Sequence, residues 1–168
     1  AVEKAEQLAK QYGRIYTYGE IIHNKAMVER QAEQGAVPVE SLEGLPEGAL
    51  VLIRAHGVPP SVFEECEKRG FRVEDATCPY VKRIHQIVEQ AAEEGRAVLI
   101  VGNAAHPEVI GIRARAGKNA FVVTGAADVA ALSAGERAAV VAQTTIYESQ
   151  FNEVVEAAQK KFNDLQVF

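Results

Sequence analysis

The chain has 168 residues, 48% of them hydrophobic, enough for one compact domain or two small ones. A formal charge of −5, with basic residues scattered rather than clustered, excludes a binder of nucleic-acid backbones. The apolar runs fall far short of the ~20 residues of a membrane-spanning helix, and two cysteines are too few for a disulfide framework, which fits a reduced, cytoplasmic setting.

The opening stretch AVEKAEQLAKQYG has a helical pattern, with Val2, Ala5, Leu8 and Ala9 on one face and no capping residue before it. RIYTYG (14–19) predicts a strand, HNKAMVERQAEQG (23–35) a helix and VPVES (37–41) a short strand. ALVLIRAHG (49–57) is a stronger strand. PPSVFEECEKRG (59–70) follows as a helix with proline in its first turn and glycine at its end. FRVEDATC (71–78) is extended and VKRIHQIVEQAAEEG (81–95) is helical. RAVLIVG (96–102) is a strand, HPEVIGIRARAG (106–117) a helix or a loop with helical turns, and FVVTG (121–125) and AAVVAQTT (138–145) are strands. ESQFNEVVEAAQKKF (148–162) is a helix, and LQVF opens a last strand. Both chain ends look internal to a longer protein.

The order of elements repeats. His23 and His106 lie 83 residues apart, Val37 and Phe121 84, His56 and Thr144 88, and Phe71 and Leu165 94. Small loop insertions produce such growth. The spacing predicts a duplicated α/β architecture, two similar small parallel-sheet domains at 1–80 and 81–168. Self-similarity shared by any βαβ protein is the competing explanation. In open parallel sheets ligands collect beyond the carboxyl ends of the strands. His23, His56, Cys78, His106 and Thr144 all fall at such ends, so one common cleft is expected.

Each of these residues has a plainer reading. Cys78 could be an inert buried thiol, although its place between Thr77 and a helix-starting Pro79 favours chemistry. Cys66 shares a helix face with Val62 and Phe63 and is expected in the core. His23, His56 and His106 could serve only as caps, and His85 is expected on a helix flank. No CxxC or HExxH motif marks a zinc site. A cysteine nucleophile with a histidine base stays open, as does an anion cradle built from imidazoles and helix N-termini. From the residues alone the chain is a two-lobed α/β protein with an anion-friendly, cysteine-bearing cleft.

The blocks EIIHN, IRAHGV, DATCP, GNAAHPEV and AQTT, in this order, resemble the LytB/IspH family of 4-hydroxy-3-methylbut-2-enyl diphosphate reductases. The resemblance covers essentially the whole chain, but only part of a family protein. It implies a three-domain trefoil around a [4Fe-4S] cluster, with one cysteine from each domain. The implied reaction is the reductive loss of an allylic hydroxyl, giving isopentenyl and dimethylallyl diphosphate in the non-mevalonate route. Cys78 resembles the cluster thiolate of DATCP. His23, His56 and His106 resemble the histidines of the diphosphate pocket. Glu108 resembles the acid of the proton-delivery network, and Thr144 the hydroxyl near the substrate's own.

Three thiolates would leave one iron open to a substrate oxygen. The family's first and third cysteines have no counterpart in the chain, nor do the third domain's Ser and Asn residues. The resemblance therefore implies a two-domain fragment with an incomplete cluster site and no activity alone. Its expected partners are the missing third domain, the diphosphate substrate and a ferredoxin- or flavodoxin-like electron donor. A non-redox binding module for a phosphorylated small molecule is the alternative, and a structural partner domain a third.

Overall fold

The computed structural model describes residues 1–21 and 24–168. The chain forms two compact units, Ala1–Pro79 and Tyr80–Phe168. Among the described residues, no helix is long and apolar enough to cross a membrane.

In the first unit the elements run α1 (Val2–Tyr12), β1 (Ile15–Tyr18), α2 (Lys25–Glu33), β2 (Ala36–Val39), β3 (Leu50–Ile53), α3 (Pro60–Lys68) and β4 (Arg72–Asp75). The sheet is all parallel, in the order β2-β1-β3-β4. Its central strand, Leu-Val-Leu-Ile, is buried along its whole length, as a strand covered on both faces must be. Alternate residues feed two cores. Leu50 and Leu52 pack with Ala5, Leu8 and Ala9 of α1, while Val51 and Ile53 pack with Val62 and Cys66 of α3.

The second unit repeats the plan with α4 (Pro79–Glu93), β5 (Ala97–Val101), α5 (Pro107–Ala116), β6 (Ala120–Val123), α6 (Ala126–Ala131), β7 (Arg137–Ala142), α7 (Glu148–Lys161) and β8 (Asp164–Val167). Its parallel order is β6-β5-β7-β8. Leu99, Val101 and Val140 face Val154 and Ala158 of α7. Val98, Ile100 and Val141 face Val88 and Ala91 of α4 and Val109 and Ile112 of α5.

The elements depart from the sequence expectation in three places. The strand expected over 49–57 ends at Ile53, because Gly57, at φ 72°, closes a turn by donating its N–H to Arg54 O at 3.1 Å. The 106–117 segment is a regular helix from Pro107. Its buried face includes Glu108 and Gly111, which blurs the apolar pattern. Helix α6 was not foreseen. It buries only Val129 and is pinned by Asp128, whose Oδ2 accepts from Thr124 N–H and Oγ1, both at 2.7 Å.

The ladders also shift the repeat by one residue. Gly19 and Gly102 match, each donating its N–H to the neighbouring strand, to Val39 O and Val123 O. Tyr18 pairs with Ile53 and Val101 with Ala142, so Arg54 corresponds to Gln143, and His56 to Thr145 rather than Thr144.

The strands' amino ends in the second unit are tied by ion pairs. Arg96, whose side chain is 6% exposed, donates to Glu94 Oε2 and Asp164 Oδ1, each at 2.8 Å, and Arg137 reaches Asp164 Oδ2 at 3.1 Å. Hydrogen bonds from Arg96 and then Arg137 hold the Asp164 carboxyl below its ordinary value, and those from Arg96 and Gln90 do the same for Glu94. A lowered carboxylate stabilises the fold above its unfolded pKa, about 4, and that stabilisation is lost as pH falls through the lowered folded value. Asp164→Asn is therefore expected to weaken the protein at pH 7 and to flatten its loss of stability in acid. Urea unfolding followed by circular dichroism at pH 7 and pH 3 measures both, and equal acid losses in the two proteins would refute the linkage.

Candidate functional site

At the carboxyl end of the first unit's sheet, β3 runs into the Arg54–Gly57 turn that carries His56, and β4 runs into the segment that carries Cys78. The two are joined through the backbone, since Cys78 N–H donates to Ala55 O at 2.9 Å. Asp75 Oδ1 accepts the Thr77 N–H at 2.9 Å and also the Thr77 hydroxyl, fixing the turn that presents Cys78. The Cys78 thiol is free and partly exposed. His56 is half-buried. The cap and ligand readings of His23 fall outside the described residues.

The other cysteine is unsuited to ligation. Cys66 is fully buried beside Val62, Val51 and Ile53. Burial pushes its thiol up, and Glu65 adds to the rise while Arg69 opposes it. A protonated thiol in an apolar core is a packing group.

In the second unit, three of the predicted residues form one hydrogen-bonded chain. The loop after β5 is closed by His106 N–H donating to Asn103 O at 2.9 Å. This places His106 as the cap of α5, where its Nδ1 accepts from Glu108 N–H at 3.2 Å. An accepting Nδ1 carries no proton, which leaves Nε2 as the ring's N–H position. His106 is thus the helix cap, a role that uses Nδ1.

Helix α5 turns Glu108 inward, where it is completely buried. Its Oε1 accepts Thr144 N–H at 2.9 Å and its Oε2 accepts the Thr144 hydroxyl at 2.8 Å. Thr144 itself is exposed. It lies on the wall of a hollow of about 630 Å³ lined largely by apolar groups such as Ile84, Ile87, Ile146 and Phe151.

Chemically, this couples a buried acid to the surface through one hydroxyl. A protonated Glu108 can donate from Oε2 to Thr144 Oγ1, which frees the threonine proton for a ligand in the hollow. Oε1 keeps its N–H bond in either protonation state.

Sequence reasoning passed over two residues that build this end of the sheet. Gln143 is 7% exposed. Its Oε1 accepts Asn103 N–H at 3.1 Å and its Nε2 donates to Thr145 Oγ1 at 2.8 Å, so it ties β7 to the His106 loop. Gly102 makes room for it, because a Cβ there would lie 2.9 Å from Gln143 Cβ. The available signal was a glycine directly after the first strand of each half of the repeat. Gly102→Val is expected to displace Gln143, loosen the His106 loop and lower the melting temperature by several degrees, as overpacking costs about 1–3 kcal/mol. An unchanged melting temperature would show that the side chains there yield freely.

Among the described residues, no three His, Cys, Asp or Glu side chains gather into a metal site. Cys78 nevertheless suits one soft ligand position, since it is a partly exposed thiol on an anchored backbone.

The model of the family described as LytB protein matches residues 1–168. The 4-hydroxy-3-methylbut-2-enyl diphosphate reductase of Aquifex aeolicus is 45% identical over 160 residues, covering 92% of this chain and 55% of that protein. The structure of the E-1-hydroxy-2-methyl-but-2-enyl-4-diphosphate reductase from Plasmodium falciparum aligns with a TM-score of 0.92 at 28% identity, over 99% of this chain and 54% of that one. A second structure, of (E)-4-hydroxy-3-methyl-but-2-enyl diphosphate reductase, the terminal enzyme of the non-mevalonate pathway, aligns with a TM-score of 0.86 at 39% identity and covers 61% of that chain. The chain thus spans little more than half the length of these relatives.

Proposed function

The chain belongs to the LytB family, and on that premise we propose that it supplies two domains of a 4-hydroxy-3-methylbut-2-enyl diphosphate reductase, an oxidoreductase of isoprenoid synthesis. The observation that carries the reading is the buried Glu108 carboxylate bonded to the exposed hydroxyl of Thr144. Removal of an allylic hydroxyl as water needs a proton at the leaving oxygen, and this pair can hold one and pass it outward.

Each site residue is assigned a role on chemical grounds. His106, with Nδ1 engaged by the α5 backbone, presents Nε2–H as a donor to an anionic or hydroxyl oxygen. His56 and His23 are assigned to the diphosphate, and Thr144 to the substrate hydroxyl. Cys78 is assigned as one thiolate ligand of a [4Fe-4S] cluster, its backbone N–H being already committed to Ala55. When bound, such a cluster supplies electrons and a Lewis-acidic iron. A ferredoxin- or flavodoxin-like protein is the proposed donor, and the cytoplasm the proposed compartment.

The test is to reduce 4-hydroxy-3-methylbut-2-enyl diphosphate with a chemical electron donor, using the full-length protein and the 168-residue chain side by side. Formation of isopentenyl and dimethylallyl diphosphate by the full-length protein alone is expected. Diphosphate binding without turnover in the full-length protein would replace this reading with that of a non-redox binding module.

A further inference from the structure

Arg54 occupies a position that the duplicated fold fills differently in its two halves. In each sheet the strand order reverses between the first strand and the central one, β1 and β3 in the first unit, β5 and β7 in the second. Connections leave such a pair in opposite directions and open a crevice at the carboxyl ends, where ligands settle. The residue just after the central strand lies across the glycine just after the first strand. In the second unit this is Gln143 over Gly102, a neutral amide with both its oxygen and its nitrogen bonded to neighbours. In the first it is Arg54 over Gly19, where a Cβ would overlap the guanidinium at Nη1.

Arg54 is anchored by none of the bonds that hold Gln143. Among the described residues its Nε is buried with no hydrogen-bond partner, and no carboxylate or carbonyl accepts from its guanidinium. Leaving a guanidinium donor buried and unsatisfied is costly, and a charged one more so. Gly19 adopts φ 75°, and the absence of a side chain there leaves the space the guanidinium occupies. A fork of N–H donors held over a crevice, with no acceptor among the described residues, suits an anion with several oxygens.

We propose that Arg54 is a substrate-binding residue that takes phosphoryl oxygens of a diphosphate at the β1–β3 crevice, two residues before His56. The identity of the substrate rests on the reductase reading given above, whereas the anion site rests on the geometry of Arg54 alone.

The experiment measures the dissociation constant of inorganic diphosphate for the full-length protein by calorimetry. It compares wild type with Arg54→Gln and with Arg54→Met, which keeps the aliphatic stem over Gly19. Charge-assisted contacts of this kind predict an affinity loss of about tenfold to a hundredfold in both variants. Arg54→Lys, keeping the charge without the fork, is expected to lose less. In turnover the same variants should raise KM far more than they lower kcat. Should Arg54→Gln lose its native circular dichroism, Arg54→Met decides. Wild-type affinity in a folded neutral variant would overturn the proposal, as would a wild-type protein that binds no diphosphate. Arg54-dependent diphosphate binding in a full-length protein that reduces no substrate would support the anion site and overturn only the reductase reading.

Discussion

Glu108→Gln in the full-length protein is expected to lower turnover by about 10²–10⁴-fold, the usual contribution of a positioned general acid. The substitution keeps the shape of the buried site. The glutamine oxygen can still accept Thr144 N–H, and its amide nitrogen can donate to Thr144 Oγ1, so both observed bonds have replacements. What it lacks is a proton it can release. Folding, judged by circular dichroism and melting, should change little. Substrate affinity should change little as well, because Glu108 is completely buried and reaches the hollow only through Thr144. Steady-state kinetics with a chemical donor separate the two effects. Near-normal turnover would remove Glu108 from the chemistry, and a loss confined to KM would make it a positioning residue.

The companion substitution tests the route. Thr144→Val deletes the hydroxyl that joins the acid to the surface, while leaving the backbone N–H that Glu108 Oε1 accepts. It is expected to lower turnover by roughly one to two orders of magnitude, within the general range for a proton-transfer step. Thr144→Ser should recover most of that loss. Equal turnover in the valine and serine variants would show that the proton takes another path.

Much of this was legible in the sequence because the relevant signals are local. Val- and Ile-rich runs become buried parallel strands, Pro60 starts α3, and Gly70 ends it at φ 68°. Cys66 could be set aside from the apolar neighbours on its own helix face. The Glu108–Thr144 pair was readable only as two residues, since 36 positions separate them and α5 alone decides that the carboxylate turns inward. An acid in the first turn of a helix usually faces water, and no periodicity announces the exception. Arg54 and Gln143 were hidden for a related reason. Their contacts depend on strand register, and the sequence fixes register only to within a residue, as the displaced match of His56 shows.

Cys78→Ser is expected to abolish assembly of a stable four-iron cluster in the full-length protein. Iron and acid-labile sulfide should fall far below the wild-type content, with loss of the broad visible absorbance that thiolate-bound iron gives. Serine preserves the size of the side chain and the Cys78 backbone bond to Ala55, but its hydroxyl is a poor substitute for a soft thiolate. Cys66 cannot take over, because it is buried among Val51, Ile53 and Val62 and its thiol is pushed up by that burial. Cys66→Ala is therefore the informative control. It should cost about 1 kcal/mol or more of stability through the cavity it leaves, yet keep the wild-type iron content. The same thiol inventory predicts that the 168-residue chain, offered iron and sulfide anaerobically, retains no four-iron cluster as a monomer. A full iron complement in Cys78→Ser would remove Cys78 from the ligand set. A loss of iron in both cysteine variants, at temperatures where each is folded, would instead assign the defect to the packing of the first unit rather than to a missing ligand.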